Sequence, residues 1–516
     1  MEILESYLGG KWMKGEAPES ELINPTTGEP VARCSSSGLD LRAALDYARG
    51  VGGESLRALT FAARGELLAR MSQAIHGQRE PLIELAILNG GNTRSDAKFD
   101  LDGASGTLMA YAELGQRLGE RRVLDDGEAI DIGTGSRLQG RHVRVPLRGV
   151  AVHIGAFNFP AWGWAEKAAC ALLAGVPVLT KPATATALVA YKSLRLVIEQ
   201  AELPAGALSV LCGGPGDLLQ HLRYFDVVAF TGGSATARAI RGTSALLDQG
   251  VRVNIEADSL NAAVLVPGAK DATFDAFIRD VHRDMIQKAG QKCTAIRRVL
   301  VPSDDLQRVR EQLSERLAET RIGDPSLDGV RVGPLATLRQ RDDVRAAVHK
   351  LLSRSRIAWG KLEGFEVEGA SATQGAFVAP LLLEADDPSA DHPVHHVEAF
   401  GPVATLIAYD GSPRQAASLV AAAHGSLVTS VYGDDRERVA ELVLELLPLN
   451  GRVVVTDAKV ADRAPGPGTV LPELVHGGPG RAGGGEELGG ARGMALYQQR
   501  TAVQGNGPLI ARYLDV

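Results

Sequence analysis

The 516-residue chain is short of several things, and each shortage removes a class of protein. Cysteine is scarce. Cys34, Cys170, Cys212 and Cys293 share no CxxC spacing and are too few for a disulfide framework, so no metal site is expected and a reducing cytoplasm fits. Positive charge is short, with 55 Lys and Arg against 62 Asp and Glu and a net charge of −7. That opposes a general nucleic-acid binder, while leaving room for a local basic pocket for an anionic cofactor. Long apolar runs are missing too. The most apolar stretch, 149–180, is interrupted by His153, Asn158, Pro160, Glu166 and Lys167, so it falls short of the roughly 20 residues that span a membrane. The first residues carry two acids and no basic region ahead of an apolar core, unlike a secretory signal. No period of 20 to 50 residues repeats, which excludes solenoids and propellers.

What is present describes a globular α/β protein. Hydrophobic residues make up 45% and charged residues 23%, enough apolar content to build cores in two to four domains. Aromatics are only 5% against 59 glycines, which points to close helix–sheet packing and many tight turns. The first 120 residues read mainly as helices, including Leu56–Ile75 and Pro81–Asn89. From Val150 short apolar runs alternate with helical ones: Val150–Ile154, Ala161–Ala174, Pro177–Thr180, Thr184–Glu199, Leu208–Cys212, Gly216–Tyr224, Val227–Phe230, Ser234–Leu247 and Val251–Ile255. Strand and helix at that spacing predict a mostly parallel sheet with helices on both faces. A second alternating region begins near Ala262 and runs to about Gly451. Gly477–Gly493, about half glycine, is either a linker or a loop whose backbone passes close to something. Met494–Tyr513 recovers enough apolar content to add a strand to a neighbouring sheet.

Candidate chemistry gathers at the ends of these elements. Cys293, in Gly290-Gln291-Lys292-Cys293, falls on a connection before an apolar strand. With Lys292, Arg297 and Arg298 nearby it is either a nucleophile with an electrostatically favoured thiolate or an inert buried thiol. Glu256 ends a strand and, flanked by apolar residues, is a candidate general base with a raised pKa, or else a capping acid. Asn158, in Phe157-Asn158-Phe159-Pro160, sits at a strand-to-helix turn where its amide would face an oxyanion. Lys181 ends the next strand and suits a ribose or phosphate. The turn Thr231-Gly232-Gly233-Ser234 does not match GxGxxG, yet its helix-start N–H groups suit a phosphate.

In this order, the set resembles the aldehyde dehydrogenase superfamily. The likeness runs through nearly the whole chain, from Asn24-Pro25-Thr26-Thr27-Gly28-Glu29 through Phe157–Pro160, Lys181-Pro182-Ala183 and Phe230-Thr231-Gly232. It continues through Glu256, Gly290–Cys293, Gly333-Pro334 and Glu398-Ala399-Phe400-Gly401-Pro402. The resemblance implies that Cys293 is the nucleophile, Asn158 and the Cys293 N–H hold the oxyanion, and Glu256 activates hydrolytic water. Lys167 and Glu487 match a lysine–glutamate pair used in proton relay, which recasts Gly477–Gly493 as an active-site loop. Lys181 and Glu398 would hold the cofactor riboses, Phe157, Thr231 and Phe400 would flank the cofactor, and Gly232, Gly233 and Ser234 would meet the pyrophosphate. The implied reaction forms a thiohemiacetal on Cys293, passes a hydride to nicotinamide, and hydrolyses the resulting thioester to an acid.

Departures from the family pattern are informative. The acid usual three residues after the cofactor lysine is Thr184, so NADP is expected to be preferred, with NAD also accepted. Gly233 stands where the phosphate turn usually has serine, and Ala257-Asp258-Ser259 follows Glu256 in place of Leu-Gly-Gly. These variants, with Trp162-Gly163-Trp164 and the Gly477–Glu487 loop, are similar to the semialdehyde dehydrogenases that act on CoA-linked aldehydes in aerobic breakdown of phenylacetate and benzoate. A chain ending at Val516, with no hydratase domain after it, is expected to side with the stand-alone benzoate enzymes. The presence of Glu256 argues against release of the acyl group to CoA and against a non-catalytic relative. The expected plan is two doubly wound α/β domains plus a β oligomerisation arm. Residues 1–121 and 146–256 would bind cofactor and 257–476 carry the catalytic thiol. Residues 122–145 and 477–516 would form the arm and loop, giving a cytoplasmic homodimer or dimer of dimers.

Overall fold

Valine, alanine and other small apolar side chains let the central strands pack against helices on both faces. In the computed structural model, which describes residues 1–17, 20–133 and 137–514, five strands lie parallel: Ala151–Ile154, Val178–Lys181, Leu208–Val210, Val227–Thr231 and Arg252–Glu256. Across the sheet they run third, second, first, fourth, fifth. The winding reverses between Ala151–Ile154 and Val227–Thr231. Loops leaving those two neighbours diverge to opposite faces, so a crevice opens at their carboxyl ends. Residues 155–158 and 231–234 leave the sheet on either side of that crevice, Lys181 ends the adjacent strand, and Glu256 ends the edge strand.

A second seven-stranded sheet carries its own core. Its order is Ser355–Trp359, Leu381–Ala385, Val403–Tyr409, Ile296–Pro302, Asn261–Leu265, Ser426–Tyr432 and Asn450–Thr456, parallel except for the first edge strand. A third, antiparallel unit pairs Leu138–Pro146 with Gln498–Asn506 through nine residues each. The chain is therefore α/β throughout, and no helix among the described residues is long and apolar enough to cross a membrane.

Four local expectations are corrected. The N-terminal third is not purely helical: Glu2–Leu4, Ser6–Leu8, Lys11–Met13, Ser20–Ile23 and Pro30–Cys34 are strands, and the Ser6–Met13 hairpin extends the first sheet. At three to five residues each, they are too short to display alternation. Leu56–Ile75 is broken because Leu59 is extended and the Thr60 hydroxyl accepts from the Ala63 N–H, starting a new helix at Phe61. Ser234–Leu247 likewise divides at Gly242-Thr243. Gly216–Tyr224 holds only the single turn Leu218–His221, since Gly216 lies at φ +51°, outside the helical region.

Candidate active site

Cys293 is presented by a strained connection. Lys288 and Ala289 adopt φ of +54° and +49°, left-handed values that cost L-residues of this kind on the order of 1 kcal/mol or more each. Gly290 follows at φ +69°, and a Cβ there would stand 2.1 Å from the Gly401 carbonyl oxygen. Arg297 ties the same pieces together, donating to the carbonyls of Gly401 (2.7 Å) and Gly290 (2.8 Å). The two motifs 105 residues apart in sequence are thus one packed unit, with Cys293 three residues beyond the glycine.

Two of the three cations near Cys293 in sequence, Lys292 and Arg298, are turned to other partners, contrary to expectation, while Arg297 stays within electrostatic reach of the thiol. Lys292 is fully buried and turned away, 2.6 Å from Asp284 and 2.9 Å from Gln287. Arg298 donates to the carbonyls of Leu260 and Leu419, 3.0 and 2.7 Å away. Burial first, and the Glu256 carboxylate second, push the Cys293 thiol well above its ordinary value. The residue beside it is one that sequence reasoning missed. His476 Nε2 lies 3.2 Å from Glu256 Oε2 and 3.9 Å from Cys293 Sγ, with histidine and glutamate both buried. Donor atoms of the three residues lie within 4.8 Å of one another. Burial alone would raise the Glu256 pKa as the sequence suggested. The charge and hydrogen bond of His476, helped by Lys167, overcome burial and hold it below the ordinary carboxylate value. Burial would lower His476, but Glu256 raises it. Each group thus favours the charged form of the other.

Around these groups is a solvent-connected pocket of about 530 Å³, walled by Asn158, Phe159, Trp162, Glu166, Lys167 and Val470 among others. Its wall helix, Trp162–Ala174, has no capping side chain of its own. Asp100 supplies one, accepting from the N–H groups of Ala161 (3.2 Å) and Trp162 (2.9 Å). Asn158 Nδ2 donates to the Gln291 carbonyl at 3.0 Å, which fixes the amide beside the thiol's connection. Lys167 reaches Glu487 at 2.9 Å and Glu166 at 3.3 Å. Burial first, followed by Glu487 and other carboxylates, brings Glu166 up to about 7 even though Lys167 opposes it. Glycine makes this geometry accessible to the Glu487 loop: at Gly483 and Gly485 a Cβ would lie 2.3 and 2.5 Å from the Ile255 carbonyl oxygen. The loop runs against the strand that ends in Glu256, with Gly485 N–H donating to Ile255 and Ala257 N–H to Ala482. Gly477–Gly493 is therefore a close-approach segment, not a linker.

A larger cleft of about 1380 Å³ occupies the crevice at the winding reversal. Phe157, Lys181, Thr231, Gly232, Gly233, Glu398 and Phe400 line it, and it shares Asn158, Thr231, Glu256 and Cys293 with the inner pocket. The Phe157 and Phe400 rings meet edge-on at 5.8 Å. Three buried polar atoms on its walls, Thr231 Oγ1, Glu256 Oε1 and Glu398 Oε1, have no hydrogen-bond partner. Burial brings the Glu398 carboxyl up to about 7 despite Arg297. Unsatisfied groups of this kind, facing a cleft at a winding reversal, fit a dinucleotide with its hydroxyl and amide groups. Two predicted residues stand apart from the walls. Thr184 Oγ1 donates to the Gly213 carbonyl at 3.4 Å, and the Ser234 N–H donates to Asp258 Oδ1 at 3.0 Å. The Gly232 N–H is also taken, by the Glu256 carbonyl at 3.2 Å. The helix start is thus partly closed by its own chain.

A doubly wound crevice joined to a smaller pocket at a single thiol is the architecture of an NAD(P)-dependent oxidoreductase. The chain belongs to the aldehyde dehydrogenase family, whose model matches residues 12–503. It is 43% identical over 478 residues to the 3,4-dehydroadipyl-CoA semialdehyde dehydrogenase of Aromatoleum evansii, covering 92% of this chain and 93% of that one. An alpha-ketoglutaric semialdehyde dehydrogenase of Bacillus subtilis (strain 168) is 28% identical over 468 residues, 89% of this chain and 91% of the relative. A point mutant of betaine aldehyde dehydrogenase from Staphylococcus aureus, solved with NAD+, shares the fold with a TM-score of 0.83 at 21% identity, over 98% of this chain and 97% of that one.

Proposed function

We propose that this aldehyde dehydrogenase oxidises the aldehyde end of a CoA-linked semialdehyde, 3,4-dehydroadipyl-CoA semialdehyde, to the acid in aromatic-acid breakdown, with NADP as the favoured acceptor. The observation that carries the chemistry is the meeting of two cavities at Cys293 and Glu256, one shaped for an elongated cofactor and one smaller and lined by ionisable groups. Support for the substrate is the 43% identity to the Aromatoleum evansii enzyme. Support for NADP is the absence of any carboxylate in Ala183-Thr184-Ala185-Thr186, immediately after Lys181.

In this reading the Cys293 thiolate adds to the aldehyde carbon, giving a thiohemiacetal whose oxyanion faces Asn158 Nδ2 and the Cys293 N–H. The thiol's proton is received by Glu256, held in place by His476. Lys181 and Glu398 would hold the riboses of NAD(P)+ in the outer cleft, Phe157, Thr231 and Phe400 would flank it, and Gly232, Gly233 and Ser234 would meet its phosphates; when bound it would supply the hydride acceptor. The thioester then left on Cys293 is hydrolysed by water that Glu256 deprotonates. Lys167 and Glu487 carry protons between the inner pocket and the loop. Residues 1–121 and 146–256 serve as the cofactor domain and 257–476 as the catalytic domain. Residues 122–145 and 477–516 serve as arm and loop. Strand Gln498–Asn506 is largely exposed and pairs on one side only among the described residues. Such an edge favours addition of a second copy, hence a homodimer or dimer of dimers. No cysteine is in a disulfide, which agrees with cytoplasmic residence.

Turnover of the CoA-linked semialdehyde with NADP, with and without free CoA, should yield the acid in both cases. Intact-mass analysis under single turnover should find the acyl group on the Cys293 peptide. Oxidation at full rate with no adduct on that peptide would overturn the assignment.

A further inference from the structure

Beyond the two cavities that meet at Cys293, a third of about 1060 Å³ shares no lining residue with either. Its walls carry four arginines, Arg279, Arg283, Arg316 and Arg331, with His282 between them. Asp280 neutralises the first two, lying 3.0 Å from Arg279 and 2.9 Å from Arg283. Arg316 and Arg331 are exposed and have no carboxylate within ion-pair distance among the described residues. Burial, and then the charges of Arg316 and Arg331, together bring the His282 pKa down to about 4, so both guanidinium groups act on this space. Arg279 Nη2 is buried there with no hydrogen-bond partner. Of the two acids on the walls, Asp96 is buried with its pKa raised, and Glu319 forms no ion pair. Like charges converging on a cavity without a neutralising partner repel one another unless an anion joins them.

Two elements connect this cavity to the inner pocket. On helix Arg94–Leu118, Asp96 faces the arginine-lined cavity. One turn on, Phe99 packs edge-on against Phe159 and Trp162 of the pocket wall. In the loop 465–470, the Pro465 carbonyl accepts from Arg283 at 2.7 Å, whereas Gly468 and Val470 line the inner pocket. Three residues of chain, which reach at most roughly 11 Å, separate the carbonyl that Arg283 holds from the Gly468 that lines the inner pocket.

We propose that this cavity holds the phosphate-bearing end of the substrate, the nucleotide of a CoA thioester, while the arm carries the aldehyde past Phe159 and Trp162 to Cys293. The proposal rests on the CoA-linked reading above and names the protein groups that would recognise the handle. Arginine suits the task because its planar fork matches phosphate oxygens in pairs and keeps its charge at any working pH. A net-acidic protein has use for such a concentrated basic patch at one mouth.

The test compares kcat/KM for the CoA-linked semialdehyde and for a plain medium-chain aldehyde, in the wild type and in Arg316→Glu/Arg331→Glu. Both positions are exposed, and a milder Arg316→Gln/Arg331→Gln pair with a thermal melt controls for folding. The wild type should favour the CoA-linked aldehyde. In the charge-reversed pair that preference should fall by at least about tenfold through KM, with kcat for the CoA-linked aldehyde at saturation held, as expected when charged hydrogen bonds to phosphate are lost. Free CoA should inhibit the wild type competitively against the CoA-linked aldehyde, and inhibit the variant much less. Raising the salt should erode the wild-type preference. A wild type that turns over the plain aldehyde as well as the CoA-linked one would sink the substrate reading itself. A wild type that prefers the CoA-linked aldehyde, paired with a variant whose preference and CoA inhibition stay within threefold, would refute the cavity assignment and leave the reaction standing.

Discussion

Replacing His476 by glutamine should move the pH at which Glu256 gains its proton by several units. In the native pocket the two groups are 3.2 Å apart and buried, and the imidazolium keeps the carboxylate ionised against the cost of burial. Glutamine keeps the volume and a hydrogen bond but removes the charge, so burial then decides. The protein supplies its own reference for that outcome: buried Glu166 and Glu398, each with a cation near but less well placed, sit at about 7. Glu256 in the variant should move up in their direction, with Lys167 and the Cys293 thiol opposing in part. Below its raised value, each further pH unit down leaves tenfold fewer molecules with a competent base. The assay is the rate of thioester breakdown on Cys293 in single turnover between pH 5 and 9. The wild type should stay flat across the acid half, and the variant should climb with pH and approach wild type only above about 8. An acid limb that remains flat in the variant would refute the reasoning. Stability follows the same signs. Glu256 is lowered on folding, so its contribution is present above its ordinary 4.5 and lost as pH falls through the folded value. His476 is raised, so its contribution is present below its ordinary 6.5 and lost as pH rises through the folded value. The native pair should therefore stabilise the protein most between about 4.5 and 6.5, and the variant's melting profile should lose that hump.

Two further outcomes are expected. Thr184→Glu should shift cofactor use towards NAD by placing a carboxylate beside the ribose after Lys181, and an unchanged NADP/NAD ratio of kcat/KM would locate discrimination elsewhere. Lys167→Met should lower stability by about 3–5 kcal/mol, because it strands Glu487 and Glu166 in a buried setting without their shared cation. A melting temperature at neutral pH equal to the wild type's would contradict that, and acidification should narrow the gap as the two carboxyls take up protons.

The parts of the site that stand at strand ends were legible in the sequence. Glu256, Lys181 and the turn after Phe230 are each announced by an apolar run that stops, and in an open parallel sheet the carboxyl edge is where such stops gather. Cys293 was found for the same reason in mirror image, just ahead of the strand Ile296–Pro302. The electrical environment was not legible. Lys292 adjoins Cys293 in sequence, but the left-handed turn at Lys288–Gly290 sends its side chain to Asp284, a partner eight residues back that no local pattern reveals. His476 arrives from 183 residues away and has no periodicity to mark it. The available signal was position: it directly precedes the glycine-rich segment that the Lys167–Glu487 match had already brought to the site. Glu166 was noticed only as an interruption of an apolar run, although a carboxylate in such a run must find a partner or a proton once buried. The short N-terminal strands escaped for a different reason, since three-residue pieces are defined by the sheet they join.

Charge counting around the inner pocket explains why these last two residues belong together. Three carboxyl groups, Glu166, Glu256 and Glu487, meet two cations, Lys167 and His476, all buried or nearly so. Taken alone these five groups, all ionised, would carry one excess negative charge beside a thiol that must itself become negative; the Arg452 guanidinium, which acts on Cys293, Glu256 and His476, offsets part of it. Burial and the neighbouring carboxylates make Glu166, raised to about 7, the member of the cluster that most readily takes up a proton near neutral pH. It is in contact with Lys167 and one step removed from the base that must lose and regain protons in each cycle. Thiolate formation is opposed by burial and by Glu256, so it is easiest when Glu166 is neutral and hardest when it is not. Raising the pH through 7 therefore both helps the thiol lose its proton and adds a charge that resists the loss, and the two effects should partly cancel. Glu166→Gln removes the second effect only. Its alkylation rate at Cys293 should rise by the full tenfold per pH unit where the wild type rises less, and equal slopes in the two proteins would show that Glu166 is not the group carrying the proton.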